Sequence, residues 1–153
     1  MGFDISGHNP QSETGAYFRN NVWWWRPLWE FVGKTCDDVI TEDDFNSGTF
    51  NDGHLIDRDK CKVIVERLTE LLDSGDVKKY QDERQKILDE LPKEKCDYCD
   101  GSGVRDDENV KGECNGCSGT GKKEAWAKSY PFDVDSIKEF RDFVKDSGGF
   151  EIW

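Results

Sequence analysis

The stretch Cys96-Asp-Tyr-Cys99-Asp-Gly101-Ser-Gly103 is matched by a second one at residues 114–121, Cys114-Asn-Gly-Cys117-Ser-Gly119-Thr-Gly121. Both copies read C-x-x-C-x-G-x-G. A C-x-x-C pair offers two thiolates from one tight turn, and two pairs complete a tetrahedral sulfur site, which suits zinc best. The glycines allow left-handed backbone conformations that turn amide N–H groups toward the sulfurs. The sequence therefore predicts one structural zinc ion, bound by Cys96, Cys99, Cys114 and Cys117.

Two other roles are open to these cysteines. They could form two disulfides, or one pair could be a thioredoxin-like redox motif. A redox motif of that kind needs a strand followed by a helix, and neither copy lies in such a setting. The matching glycines in both copies also favour the zinc site.

The repeated pattern resembles the cysteine-rich region of the DnaJ chaperone family, in which C-x-x-C-x-G-x-G repeats pair to bind zinc. That family has four copies and two metals, whereas this chain has two copies, which implies one metal. The resemblance covers residues 96–121 of the 153. It does not extend to a J-domain, because the His-Pro-Asp signature is absent: His8 precedes Asn9 and His54 precedes Leu55. What the resemblance implies is a metal-bound hairpin with an affinity for polypeptide, and no co-chaperone role.

The composition predicts a small core built largely from aromatic rings. Only 35% of the residues are hydrophobic and an equal 35% are charged, but the chain has nine Phe, four Tyr and six Trp. Aromatic side chains bury a large area each, so a few of them can supply a core. The length suits a single domain with the zinc region as an insertion.

The charge narrows the class of partner. The formal net charge is -12, with the largest excess of acidic residues in residues 41–92. Such a surface repels phosphate backbones, so we do not expect nucleic acid as a partner. We expect a protein partner, in particular a basic one. No stretch has the roughly twenty apolar residues of a membrane span, and the first residues lack the pattern of a signal peptide. Paired thiolates suit a reducing compartment, so we expect a cytoplasmic protein; the oligomeric state stays open.

Two helices are predicted in the middle of the chain. Apolar residues recur at helical spacing over 57–73 and again over 76–91, with a break of two residues that predicts a helical hairpin. A last helix is predicted with Asp135 or Ser136 as its cap. Its core face comprises Ile137, Phe140, Phe143 and Val144.

The remaining segments complete the predicted architecture. Residues 1–22 form a loop or a short strand, Pro27 opens a helix that ends near Gly33 or Val39, and residues 41–57 are rich in turns. A short strand ends the chain. The predicted fold class is mainly α (α+β), a helical hairpin plus a C-terminal helix with an inserted zinc-bound β-hairpin. The mainly helical domain comprises residues 1–92 and 122–153, and the DnaJ-like insertion comprises residues 93–121.

The run Trp23-Trp24-Trp25 suggests a second site. Three consecutive side chains cannot all point the same way, so at least one indole should face away from the main core. The neighbouring arginines favour a ligand pocket or a partner-binding surface; the alternative is that the rings are shared between the core and a covering loop. The candidate partner- or ligand-binding residues are Arg19, Trp23, Trp24, Trp25, Arg26 and Trp29. Residues 15–29 and 147–152 resemble a group of small bacteriophage and bacterial proteins, which implies a phage or mobile-element setting and no particular chemistry.

No catalytic residue is predicted. Four cysteines close the coordination shell, so the predicted zinc is structural. Only His8 and His54 could act as acid–base groups near neutral pH, and a histidine in a loop is more often simply solvated. Residues 43–54 place glycine at the sixth position of a calcium loop but Phe45 at the third and His54 at the twelfth, where oxygen ligands are needed.

Three hypotheses about function follow. The first is a non-enzymatic, zinc-stabilised protein-binding module from a phage or mobile element, acting in the host cytoplasm. The second is an acidic inhibitor that imitates nucleic acid and blocks a nucleic-acid-binding defence enzyme of the host. The third is a small-molecule binder or an enzyme that uses the Trp-rich N-terminal segment.

Overall fold

The computed structural model describes residues 1–153 and is a mixed α+β fold in which helices predominate, as predicted. The helices are α1 (Glu13–Ala16), α2 (Val22–Thr35), α3 (Glu42–Phe50), α4 (Arg58–Ser74), α5 (Asp76–Asp89) and α6 (Val134–Ser147). The strands are β1 (Gly2–Gly7), β2 (Tyr17–Asn21), β3 (His54–Ile56), β4 (Glu94–Lys95), β5 (Val104–Asp106), β6 (Lys111–Glu113), β7 (Lys122–Lys123) and β8 (Phe150–Ile152). No helix combines the length and the apolar character that crossing a membrane requires.

The chain divides into two compact units. The first comprises Met1–Glu83 and Tyr130–Trp153, and the second comprises Arg84–Ser129. The predicted insertion, residues 93–121, lies within the second unit.

An antiparallel sheet joins the two ends of the chain in the first unit. Its strand order is β2-β1-β8-β3, with Ile5 opposite Ile152 and Ile56 opposite Phe150. Alternate residues point to one face, so Ile5, Ile56, Phe150 and Ile152 are all buried. The short strands predicted at the two ends of the chain are therefore the two central strands of this sheet.

The helices α4 and α6 pack against each other and, together with α2, supply most of the remaining core. Ile64 and Leu68 of α4 are fully buried, as the periodicity predicted. The α6 residues predicted for the core face are all buried: Ile137, Phe140, Phe143 and Val144. A single residue, Gly75, separates α4 from α5, and its left-handed backbone (φ 84°) ends α4.

Residues 41–57, predicted to be turns, contain the helix α3, so that prediction was wrong. Thr41 begins the helix with a capping box: its hydroxyl accepts from the Asp44 N–H at 3.2 Å, and the Asp44 carboxylate accepts from the Thr41 N–H at 2.8 Å. Gly48 lies inside α3. A Cβ atom on Gly48 would lie 2.5 Å from the Trp29 indole, so the packed ring leaves no room for a side chain at this position. The helix ends at Asn51, whose φ is 64°.

Two helix starts also differ from the predictions. The helix α2 begins five residues before Pro27, because the Asn21 side chain accepts from the N–H groups of Trp23 and Trp24, both at 3.1 Å. Pro27 therefore lies inside the helix, where it lacks the N–H that would bond the Trp23 carbonyl. In α6 the cap is Asp133, whose carboxylate accepts from the Ser136 N–H at 2.7 Å.

Candidate metal centre

The two C-x-x-C copies fold into matching turns. In the first, the Gly101 N–H donates to the Cys96 carbonyl at 3.1 Å, and in the second the Gly119 N–H donates to the Cys114 carbonyl at the same distance. The two turns also bond each other in a reciprocal way. The Cys96 N–H donates to the Gly121 carbonyl, and the Cys114 N–H donates to the Gly103 carbonyl, both at 2.9 Å.

The last glycine of each copy points its N–H at the second sulfur of that copy. The N atom of Gly103 lies 3.2 Å from Sγ of Cys99, and the N atom of Gly121 lies 3.2 Å from Sγ of Cys117. Such bonds stabilise negative charge on sulfur. Both glycines have left-handed backbones, with φ of 78° and 75°, as the sequence predicted.

These two glycines are also required by the close approach of the turns. A Cβ atom on Gly103 would lie 2.4 Å from the Gly119 carbonyl oxygen, and one on Gly121 would lie 2.3 Å from the Gly101 carbonyl oxygen. Backbone atoms cannot move aside as a flexible side chain can. The reciprocal packing of the two turns therefore excludes any side chain at either position.

The four sulfurs lie close enough together to bind one metal ion. Sγ of Cys96 lies 4.0 Å from that of Cys114, Sγ of Cys99 lies 3.8 Å from that of Cys117, and all four lie within 4.8 Å of one another. A tetrahedron with Zn–S bonds of about 2.3 Å has S–S edges of about 3.8 Å. A disulfide needs about 2.05 Å, and all six cysteines of the chain are free. The residues therefore fit one tetrahedrally coordinated metal ion.

The thiols influence one another's ionisation. Burial opposes ionisation of Cys99, but the Gly103 N–H and the neighbouring thiols Cys117 and Cys96 outweigh it and lower the pKa of Cys99 to about 7. Burial, the Gly116 N–H and the neighbouring thiols together set the pKa of Cys114 at about 11: burial and the hydrogen bonds with Cys117 and Cys99 raise it, and the Gly116 N–H lowers it. Cys99 thus forms a thiolate near neutral pH, whereas ionisation of Cys114 is opposed. A bound divalent cation removes that opposition because it stabilises all four charges.

The second unit has little else to hold it together. Its buried hydrophobic residues are Leu88, Cys96, Cys114 and Ala125. Strands β5 and β6 pair as a hairpin between the two turns, and β4 pairs with β7 at its base, but these are strands of two or three residues. Two of these four buried hydrophobic residues, Cys96 and Cys114, are candidate metal ligands. A metal ion would take the place of a hydrophobic core in this unit.

The Trp-rich candidates do not form one surface. Trp25 and Trp29 are almost completely buried (0% and 1% exposed). Contrary to the prediction, neither side chain is therefore accessible to a partner or ligand. Their rings stack at 5.3 Å, and their indole N–H groups donate to the carbonyls of Gly48 and Phe45, at 2.9 and 3.0 Å. Successive tryptophans on a helix point about 100° apart, which sends Trp25 into the core.

The other members of that set lie nearer the surface. Trp23 and Trp24 are half-buried, in agreement with the expectation that some indoles face away from the core. Trp23 packs against Tyr130 at 5.1 Å, and Arg26 donates to the Tyr130 hydroxyl at 3.3 Å. Arg19 and Trp24 line the same shallow cavity of about 260 Å³, so these two stay together as a candidate binding pair.

A polar cluster that the sequence did not reveal involves one of the two histidines. The partner of His54 is Asp44, ten residues earlier, whose Oδ1 lies 2.7 Å from Nε2. Lys60 completes the cluster at 2.5 Å from the other Asp44 oxygen. The only local signal was the position of Asp44 at the third residue of a helix, which fits a capping box. His8 is exposed.

Neither a family model, nor a curated protein, nor a solved structure matches the chain. Its four-cysteine cluster is consistent with a zinc site by geometry alone.

Proposed function

We propose that the chain is a zinc-stabilised protein-binding module without catalytic activity. One zinc ion, bound by Cys96, Cys99, Cys114 and Cys117, holds the second unit in its folded form. The observation that carries this proposal is the tetrahedral sulfur set inside a unit with only two other buried hydrophobic residues. Four sulfur ligands favour zinc or an iron–sulfur centre, and the S–S distances favour one ion with four thiolate ligands.

The proposed role of the metal is structural. All four positions of a tetrahedral ion are taken by protein sulfurs, which leaves no position for a water molecule or a substrate. The two glycine N–H···S bonds further hold the sulfurs in place. Zinc binding would thus contribute folding free energy to the second unit.

The protein-binding part of the proposal rests on exposed apolar side chains. In the second unit Tyr98 is 68% exposed, Val104 60% and Trp126 56%. Large exposed apolar side chains mark contact surfaces when they are held on a rigid framework, and aromatic residues dominate the energetics of such surfaces. The net charge of -12 favours a basic protein as the partner. Because thiolates need reducing conditions, the proposed setting is the cytoplasm, that of the host if a phage encodes the chain.

The metal is tested by measuring bound zinc in the purified chain, with elemental analysis and native mass spectrometry. We expect one zinc ion per chain in the wild type and loss of that ion in the double variant Cys96→Ser, Cys114→Ser. The matched control is Cys36→Ser, because Cys36 is a buried cysteine outside the cluster. A wild-type chain without metal, or a cluster variant with unchanged zinc content, would refute the metal site.

The binding surface is tested separately on zinc-loaded protein. We expect a partner captured by the wild-type chain to be lost with the double variant Tyr98→Ala, Trp126→Ala, and after removal of zinc by a chelator. The matched control is Phe50→Ala, since Phe50 is 67% exposed but lies in the first unit. If the Phe50 variant loses the partner and the Tyr98, Trp126 variant keeps it, the surface is assigned to the wrong unit.

A further inference from the structure

A cavity of about 320 Å³ opens in the first unit between α4 and the end of α6. Its floor is apolar and consists of Cys61 and Val65 of α4 with Val144 of α6. Burial raises the pKa of the Cys61 thiol to about 11, against weaker lowering by Ser147 and Gly149, so the thiol is neutral near pH 7. The floor thus has no charged group, and the volume lies at the lower end of the range for small-molecule sites.

The rim of the cavity is basic, although the chain as a whole is acidic. Arg58, Lys62 and Lys145 line it, with Glu66 as the one carboxylate in the lining. Lys62 has a partner only in the exposed Asp59, at 3.7 Å. Arg58 and Lys145 form no salt bridge and no side-chain hydrogen bond in the structure. The lining of this cavity thus has three cations and one carboxylate, whereas the chain as a whole has a net charge of -12.

The position of Arg58 is not explained by the stability of its helix. It is the first residue of α4, where the helix macrodipole favours negative side chains and disfavours positive ones. Lys145, in the last turn of α6, does have such an explanation, because cations are favoured at helix C-termini. Arg58 therefore adds a positive charge to the rim at a cost to its helix, and it forms no salt bridge although Asp57 and Asp59 flank it in the sequence.

The remaining wall of the cavity is held in place by hydrogen bonds. The loop that carries Asn9 and Gln11 bonds the end of α6 through Asn9 N–H to the Ser147 carbonyl at 2.9 Å and Gln11 N–H to the Asp146 carbonyl at 2.8 Å. The Ser12 hydroxyl donates to the Asp146 carboxylate at 2.7 Å and adds a third bond between this loop and the end of α6. A ligand would thus meet a preformed wall and would not need to order the loop.

We propose that this cavity binds a small amphipathic anion, a carboxylate with a short apolar body. The carboxylate lies between Arg58 and Lys145, and the apolar body lies on Cys61, Val65 and Val144. The charge of the rim selects an anion, and the apolar floor distinguishes such a ligand from inorganic phosphate. This site is independent of the metal centre and of the proposed partner surface.

The test is a titration of the zinc-loaded full chain with hexanoate, followed by amide chemical shifts. We expect saturable shifts centred on Cys61, Val65 and Val144, with weaker binding, by about tenfold or more, for 1-hexanol and for inorganic phosphate. The double variant Arg58→Ala, Lys145→Ala should weaken hexanoate binding by about tenfold or more. Both side chains are exposed, so the variant should keep its fold, which far-UV circular dichroism checks.

The matched control is Lys86→Ala, which removes an exposed positive charge from α5 and should leave hexanoate binding unchanged. Absence of saturable binding of hexanoate would overturn the proposal. Equal binding of hexanoate and 1-hexanol, or equal affinity in the wild type and the Arg58, Lys145 variant, would overturn it as well, since the cations would then contribute nothing.

Discussion

Nε2 of His54 lies 2.7 Å from Oδ1 of Asp44, a carboxylate that is only 3% exposed. The second oxygen of Asp44 accepts from Lys60 at 2.5 Å and from the Thr41 N–H at 2.8 Å. One buried charge thus connects the start of α3 with β3 and α4. Because a buried carboxylate without partners is strongly disfavoured, these donors decide its ionisation.

The first prediction concerns the dependence of stability on pH. Burial opposes the charge on Asp44, but the bonds from Lys60, His54 and Thr41 outweigh it and lower its pKa from 3.8 to about 2. Because its pKa is depressed, ionised Asp44 stabilises the fold at pH values above its ordinary pKa, and that contribution, about 2 kcal/mol, is lost as the pH falls toward 2. We expect Asp44→Asn to remove most of this acid-dependent loss in urea unfolding between neutral and acid pH.

Asp43→Asn is the control for that experiment, since Asp43 lies in the same helix turn but is exposed. It should leave the acid limb of the stability curve nearly unchanged. If the two variants alter the curve equally, the buried cluster is not the source of the pH dependence.

The second prediction concerns the glycines of the metal centre. Gly103→Ala introduces a Cβ atom 2.4 Å from a backbone oxygen and also strains a residue with φ of 78°. Gly112→Ala is the matched control, because Gly112 also has a positive φ, 113°, but a Cβ there has nothing within 4 Å. We expect Gly103→Ala to weaken zinc affinity by about tenfold or more, as other changes around metal ligands do, and Gly112→Ala to have a much smaller effect. Competition with a chromophoric chelator measures both.

The third prediction separates the tryptophans. Trp25→Ala and Trp29→Ala should each lower the free energy of unfolding by about 3–5 kcal/mol, because each leaves a cavity in the aromatic core. Trp24→Ala should cost about 1 kcal/mol, since Trp24 is half-buried. Urea denaturation of the three variants checks the order. A Trp24 variant as unstable as the Trp25 variant would contradict the assignment of Trp24 to the surface.

The fourth prediction concerns the reactivity of the six cysteines. Burial raises the pKa of both Cys36 and Cys61, so these thiols should resist iodoacetamide in the folded chain near pH 8, below the usual thiol pKa of about 8.5. The cluster cysteines should react only once a chelator removes the metal. Mass spectrometry should therefore find no adduct with zinc bound, adducts on the four cluster cysteines after chelation, and adducts on Cys36 and Cys61 only after denaturation. Labelling of Cys61 before the cluster would contradict this order.

Local patterns predicted much of this structure. The spacing of Cys96, Cys99, Cys114 and Cys117 identified the sulfur cluster, because a metal site built from two turns needs only short segments of chain in the right conformation. The apolar periodicity located α4, α5 and the core face of α6 for a similar reason: helices are stabilised by side chains three and four residues apart. The predicted helix starts were wrong where the helices are capped by Asn21, Thr41 and Asp133, because in each case one capping side chain determines where the helix begins.

The amino-acid sequence alone was sufficient for the elements whose contacts are close along the chain: the two sulfur turns, the long amphipathic helices and the acidic, ring-rich composition. Only the folded structure decided which tryptophans are core, which carboxylate meets His54, and which cations surround an apolar floor. Those relationships join residues far apart in sequence, such as Arg58 and Lys145. They follow from how the sheet and helices pack, and no local preference encodes that packing.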